Sequence, residues 1–261
     1  MSSQNALAIS DVRVVISMRT ILQGIVWQVA PRSCAAVLGP NGCGKSTLLR
    51  VLAGYQYPTS GSVTVLGRKF GEANLNELRQ SIRLVQPPNA YDLEPDLTVR
   101  QAVLTGFFGT LGQFHGVTPK MIAKANVTLG ELGLSHLAER FYQTLSTGER
   151  TRTLIARAIV EPVELLLLDE PTTGLDLPSR EAVLRTIESL AGRVTVVMTT
   201  HHVEELPAST SNVLLLDGGR VAADGEPGGV LTSEMLSRVY RMPVTVHREG
   251  GRFYLHVGTR L

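Results

Sequence analysis

Gly39-Pro40-Asn41-Gly42-Cys43-Gly44-Lys45-Ser46-Thr47 satisfies the pattern G-x-x-x-x-G-K-[ST] at every specified position, and its reading decides the rest of the chain. Apolar, strand-like Cys34-Ala35-Ala36-Val37-Leu38 precedes it. Leu48-Leu49-Arg50-Val51-Leu52-Ala53-Gly54 follows, a helix-sized run with a glycine stop. Strand, glycine loop and helix in that order form the context the pattern requires. The glycines let successive backbone N–H groups turn inward as an anion-binding nest, and the helix start behind them adds the positive end of its dipole. Lys45 then reaches the β- and γ-phosphates of a nucleotide, Ser46 offers its hydroxyl to a magnesium ion, and Thr47 serves the α-phosphate side. Cys43 reads as a small loop-filling residue, with a thiol activated by the dipole as the competing role.

Composition narrows the class. The 261 residues suffice for one large α/β domain, and 25 basic against 23 acidic residues leave a net charge of +2 with no block of like charges. Nucleic acid and lipid surfaces therefore gain no electrostatic support as partners. Two cysteines, Cys34 and Cys43, make no disulfide framework and predict a reducing compartment. The opening Met1-Ser2-Ser3-Gln4-Asn5 lacks a signal peptide's basic and apolar regions, and no apolar run reaches the ~20 residues of a membrane span.

Along the chain, Val12–Ile16 and Ile25–Val29 flank a polar turn at Ser17–Thr20 and predict an antiparallel β edge, with Trp27 as a sheet-packing residue. Ser62–Leu66 and Ile82–Val85 read as further strands. Pro87-Pro88 ends the second, leaving Gln86 at a strand end. From Pro87 to Tyr142 the pattern turns helical: Thr98-Val99-Arg100-Gln101 is a capping-box start, and Thr118-Pro119 opens a helix with Met121, Ile122, Ala125, Leu129 and Leu132 on one face. Leu145-Ser146-Thr147-Gly148-Glu149 leads into another helix, and Ser146 with Glu149 forms a capping box that would start it whatever else it did.

Leu165–Leu168 predicts a strand of a parallel sheet buried on both faces, ending in Asp169 and Glu170. Carboxylates at such a strand end lie where ligands bind. Asp169 is placed to hold the magnesium ion and Glu170 to polarise an attacking water. Asp176 precedes an amphipathic helix with Val183, Leu184, Ile187 and Leu190, and the strand Val194–Met198 leads to Thr199-Thr200-His201-His202, placing a histidine at the same edge. The tail reads as a short helix and a hairpin, Val244–His247 and Phe253–Val257, whose His247 and His256 face solvent or, across from each other, a metal.

In order and spacing this set resembles the ATP-binding-cassette (ABC) ATPases over nearly the whole chain. The resemblance implies a Walker A loop at Gly39–Thr47, a Q-loop glutamine at Gln86 and a signature at Leu145–Glu149. It further implies a Walker B strand ending in Asp169, a catalytic Glu170, a D-loop centred on Asp176 and a switch histidine at His201. The implied fold is an α/β P-loop NTPase of the ABC type: a mostly parallel core sheet flanked by helices, an N-terminal antiparallel β-subdomain and an inserted helical subdomain. Residues 1–86 and 160–224 then form the core, 87–159 the helical signature subdomain and 225–261 the tail.

ATP and Mg2+ are implied, as is a homodimer or heterodimer of such domains closing head to tail, with Ser146, Thr147, Gly148 and Glu149 of one facing the nucleotide of the other. An integral-membrane permease is the implied partner and the cytoplasmic face of the membrane the implied place. Three positions depart from the family pattern. Ile16 stands where an aromatic residue commonly stacks on adenine, and Thr147 and Glu149 replace the usual glycine and glutamine of the signature. The Leu-Ser-Thr-Gly-Glu variant is similar to that of molybdate-transport-like and photorepair-like single-domain ABC proteins. The tail resembles that of iron-siderophore and cobalamin import ATPases. A stand-alone ABC ATPase acting in repair, translation or regulation is the competing class, against which stand the absence of coiled-coil arms, a second cassette and basic patches.

Overall fold

A computed structural model describes residues 5–90, 93–94, 96–112 and 116–258; the opening Met1–Gln4, read above for a leader, lies outside them. The chain opens with a hairpin, β1 (Leu7–Ile16) and β2 (Arg19–Val29). Ile16 pairs with Arg19, so the connection is the two residues Ser17 and Met18, both at positive φ (46° and 63°). Such a tight turn matches the twist of its strands and moves Arg19 and Thr20, expected in the turn, onto β2. Next come β3 (Cys34–Leu38), α1 (Lys45–Leu52), β4 (Ser60–Val65) and β5 (Arg68–Lys69). Strands β2-β1-β4-β5 form one antiparallel sheet.

After α2 (Leu75–Ser81), which the sequence reading did not include, β6 (Ile82–Val85) leads into helices α3 (Val99–Leu104), α4 (Pro119–Glu131) and α5 (Thr147–Ile159). Each of the three has a side-chain N-cap, from Thr98, Thr118 and Ser146. These hydroxyls satisfy donors that the first helical turn leaves unpaired. Ala125, Thr128, Leu129 and Leu132 form the buried stripe of α4, whereas Ile122 is 37% exposed. The stripe is centred between Met121 and Thr128, and Thr128 is tolerated inside because its hydroxyl donates to Lys124 O at 3.0 Å.

The chain continues with β7 (Leu165–Leu168), α6 (Leu177–Ser189), β8 (Thr195–Thr200), β9 (Thr210–Asp217), β10 (Arg220–Gly225), α7 (Pro227–Val230), α8 (Ser233–Tyr240), β11 (Val244–Glu249) and β12 (Arg252–Val257). The central six-stranded sheet runs β10-β9-β3-β8-β7-β6, parallel throughout except for β10. Alternation along its strands divides two cores. Ala36, Leu38, Leu166, Leu168 and Met198 join the cluster with α3, α4, α5 and the tail, while Ala35, Val37, Leu165, Leu167 and Val197 join the cluster with α1 and the antiparallel sheet. Both faces are covered, which is why Leu165–Leu168 reads as an unbroken apolar run. Among the described residues no helix is long and apolar enough to cross a membrane.

Trp27, 1% exposed, packs in the second cluster, and its indole N–H donates to Asn212 Oδ1 at 2.7 Å. That bond ties the antiparallel sheet to β9. Trp27→Phe keeps most of the apolar area but strands the Asn212 acceptor, so urea unfolding followed by circular dichroism should show a loss of about 1–3 kcal/mol. An unchanged midpoint would remove this bond from the account.

Candidate functional site: a phosphate loop at the carboxyl edge of the sheet

The loop between β3 and α1 follows a path that side chains would obstruct. Gly39 has φ 155°, and a Cβ there would sit 2.3 Å from Leu216 O and 2.8 Å from Cys43 Sγ. Gly44, at φ 104°, is the N-cap of α1 and would drive a Cβ to 2.6 Å from Leu22 Cδ2. Glycine is required at both positions. The helix starts at Lys45, earlier than the apolar run at Leu48 suggested, so Lys45, Ser46 and Thr47 occupy its first turn. Pro40 is half-buried, Asn41 and Gly42 are exposed, and Cys43 and Gly44 are buried beneath them.

Lys45 is 4% exposed and its ammonium meets three oxygens: Gly39 O at 3.0 Å, Pro40 O at 3.2 Å and Glu170 Oε1 at 3.3 Å. A buried ammonium needs all three donors matched. Asp169, 7% exposed, accepts at Oδ1 from the Ser46 hydroxyl (3.0 Å) and the Thr199 hydroxyl (2.8 Å). Thr199 Oγ1 in turn accepts the Glu170 N–H at 2.9 Å. Glu170 has φ 45°, a left-handed conformation that costs a non-glycine residue about 1–2 kcal/mol. It is held there by the Thr199 bond, by Lys45 and by the Thr173 hydroxyl, which donates to Oε2 at 3.1 Å. Nδ1 of His201 lies 3.6 Å from Glu170 Oε1.

These groups converge because the parallel strands end together. Leu38 pairs with Thr200 and Leu168 with Met198. The Asp169 N–H donates to Val85 O at 2.8 Å, which puts half-buried Gln86 beside Asp169 at the same edge. A serine hydroxyl, a carboxylate and an amide carbonyl make an all-oxygen donor set of the kind a magnesium ion takes, so Ser46, Asp169 and Gln86 fit that ion. Ile16, 42% exposed, ends β1 at the hairpin turn. Thr199 and Thr173 were not singled out in the sequence. Two threonines closing an apolar strand, both fully buried, are the signal that could have found Thr199.

The signature segment is not joined to this cluster. Its polar contacts close locally in a capping box: Glu149 Oε2 accepts from the Ser146 N–H (2.8 Å) and hydroxyl (3.0 Å), and the Glu149 N–H donates to Ser146 Oγ at 3.3 Å. Partial burial alone raises the Glu149 pKa, but the Ser146 donors and Arg140 outweigh it and hold the carboxyl below the usual range. Ser146 and Thr147 are exposed, whereas Gly148 is buried, and a Cβ there would meet Ser179 Cβ at 2.8 Å. Close packing against α6 thus accounts for that glycine within this chain. Asp176 is the N-cap of α6, accepting the Ser179 N–H at 3.0 Å.

Two alternatives close here. Burial pushes the Cys34 thiol up to about 11 and also raises Cys43, where the charge of Lys45 pulls the other way. Cys43 is therefore not an activated thiol. His247 pairs with Tyr254 and His256 with Thr245, so the tail histidines are exposed and diagonal rather than opposite, and no group of three or more metal-ligating His, Cys, Asp or Glu occurs among the described residues.

Fold and site together define a P-loop nucleoside-triphosphate-binding domain. The family model described as "ABC transporter" matches residues 22–173. The chain is 39% identical over 87% of its length to an uncharacterised ABC transporter ATP-binding protein, YlmA, of Bacillus subtilis, covering 87% of that protein. It is 38% identical over 87% of its length to the hemin import ATP-binding protein HmuV of Nocardia farcinica, covering 78% of it. A solved ABC transporter described as of metal-chelate type, in an inward-facing conformation, superposes with a TM-score of 0.79 at 31% identity, covering 97% of this chain and 96% of that one. The chain belongs to the ABC transporter family, as an ATP-binding, ATP-hydrolysing subunit.

At pH 8 a thiol of pKa 11 is only about 0.1% thiolate, and both thiols are buried. Iodoacetamide should therefore leave Cys34 and Cys43 unmodified over an hour in the native protein and label both in guanidinium. Rapid native labelling at Cys43, read by mass spectrometry, would contradict the burial argument.

Proposed function

We propose that the chain is the motor half of a composite site: Gly39–Thr47 holds ATP, and the signature segment of a second such domain, homologous or identical, covers it. The observation that carries this reading is the convergence of Lys45, Ser46, Asp169, Glu170 and His201 at one sheet edge. Backbone N–H groups of residues 39–47 and the start of α1 hold the phosphates. Lys45 exchanges its Glu170 partner for a γ-phosphate oxygen, which frees the carboxylate to take a proton from the attacking water. His201, beside Glu170, contacts the γ-phosphate and senses its loss. Ser46, Gln86 and Asp169 hold Mg2+, which neutralises charge on the β- and γ-phosphates when bound. The Lys45–Glu170 contact of 3.3 Å supports the exchange, because the ammonium is already paired with the carboxylate it would release.

The opposing face is Ser146, Thr147 and Gly148 at the N-terminus of α5. There a hydroxyl and the helix dipole face solvent, and Glu149 is folded back into its cap. An arriving triphosphate would have to take the Ser146 hydroxyl and N–H from the Glu149 carboxylate. Asp176, capping α6 next to Gly148 through Ser179, belongs to the same interface. Ile16 covers adenine by aliphatic contact. Residues 1–86 and 160–224 act as the core, 87–159 as a helical arm that grips a separate membrane-embedded permease at the cytoplasmic face, and 225–261 as a tail. Cargo is selected by the permease.

Glu170→Gln should bind ATP, lose about 100-fold or more of turnover and accumulate as an ATP-dependent dimer in size-exclusion chromatography. Undiminished turnover would refute Glu170 as the base. Lys45→Ala should weaken ATP binding about 100-fold, equivalent to the loss of one or two charge-assisted hydrogen bonds; unchanged affinity in calorimetry would contradict the phosphate cradle.

A further inference from the structure

The turn that carries His201 is held from outside the nucleotide core. Thr200 Oγ1 accepts the His202 N–H at 3.0 Å and bonds the Glu205 carboxylate, closing the turn on itself. The C-terminal tail then makes two further contacts. The Tyr240 hydroxyl, at the end of α8, donates to His201 O at 2.9 Å. The Leu255 N–H, on β12, donates to Glu204 Oε1 at 2.8 Å. The tail is itself anchored to α6, where Arg252 Nη1 meets Glu181 Oε2 at 2.6 Å and Nη2 meets Glu188 Oε1 at 3.6 Å.

Helix α8 and the hairpin are bonded to each other. Ser237 Oγ accepts the Val244 N–H at 3.0 Å and Ser233 Oγ accepts the Val246 N–H at 2.9 Å. The end of α8 also faces the phosphate loop: Tyr240 and Arg241 wall a cleft of about 360 Å³ opposite Pro40, Gly42 and Cys43. Tyr240 thus stands between the loop that holds phosphate and the turn that bears the histidine. Burial raises its hydroxyl pKa, so the group keeps its proton and remains a donor across the physiological range.

We infer that Tyr240 is a positioning residue for ATP hydrolysis: its hydroxyl fixes the His201 carbonyl and so the direction of the imidazole toward the γ-phosphate, making turnover depend on how the C-terminal tail is docked. The inference rests on the reading of His201 given above. The imidazole and the tethered carbonyl belong to the same residue, and the imidazole Nδ1 is buried without a hydrogen-bond partner. The ring packs on the His202 ring, centroids 4.0 Å apart, and no side-chain hydrogen bond at Nδ1 fixes its direction, which leaves the tethered backbone to help aim it. A rotation of that peptide would swing Nδ1 relative to Glu170 Oε1, now 3.6 Å away. Small misplacements of this kind act on the chemical step more than on binding.

The test is Tyr240→Phe, which keeps the ring and removes one oxygen, measured in wild-type and His201→Ala backgrounds with the full chain. In the wild-type background kcat should fall roughly 5- to 20-fold with KM for ATP changed less than about twofold. In the His201→Ala background the same substitution should leave kcat unchanged within about twofold, since the group it positions is gone. Unchanged kcat for Tyr240→Phe alone, or an equal fall in both backgrounds, would overturn the inference. If instead His201→Ala alone hydrolyses ATP at the wild-type rate, the sensing role of His201 fails first, and Tyr240 loses its object. Tyr240→His, which can restore a donor at the same site, should recover part of kcat in the wild-type background; recovery in the His201→Ala background as well would count against the route through His201.

Discussion

A single oxygen, Asp169 Oδ1, holds three segments of the chain together. It accepts the Ser46 hydroxyl from α1 and the Thr199 hydroxyl from β8 while its own backbone continues β7. A carboxylate left 7% exposed must be satisfied where it stands. The two hydroxyls therefore fix the phosphate loop, the Asp169–Glu170 corner and the His201 strand relative to one another. Thr199 carries the constraint one step further, because the same oxygen that donates to Asp169 accepts the Glu170 N–H and stabilises its left-handed backbone. Without that bond the left-handed Glu170 backbone would rest on the side-chain contacts with Lys45 and Thr173 alone.

The fold supplies the setting for this knot. A parallel sheet buried on both faces ends its strands at one edge, and polar groups are tolerated there because every chain leaves the sheet at that point. The glycines of the loop serve the same end by different means, since Gly39 and Gly44 let backbone pass where Leu216 O and Leu22 Cδ2 leave no room for a Cβ. The signature helix α5 stands apart from this edge, capped by its own Glu149 and pressed on α6 through Gly148. The phosphate-loop edge and the signature segment are thus two separate surfaces of one chain. That division suits an ATP-binding subunit of the ABC transporter family.

Much of this is legible in the sequence. The loop, the strand Ile82–Val85, the capping boxes at Thr98 and Ser146 and the Leu165–Leu168 strand all carry local signals that tertiary contacts leave intact. What escaped is what depends on partners distant in sequence. Helix α2 has too short an apolar pattern to stand out, and β9 and β10 are recognisable chiefly through their places in the sheet, β9 beside β3 and β10 beside β9. Ile122 lay on the expected face of α4 but at its edge, because a threonine took the central position. The Cys43 thiol is governed by burial under the loop rather than by the helix dipole. Thr199 and Tyr240 act through hydrogen bonds to residues 30 and 39 positions away, which no local pattern announces.

The most direct measurement of this account is the ATP turnover of Thr199→Val, which keeps the shape of the side chain and removes the one hydroxyl shared by Asp169 and Glu170. The account predicts a fall in kcat of about 10-fold or more and a stability loss of about 1–3 kcal/mol, with Thr199→Ser close to wild type. Wild-type kcat in a folded Thr199→Val protein would show that the shared hydroxyl does not set the geometry of the site.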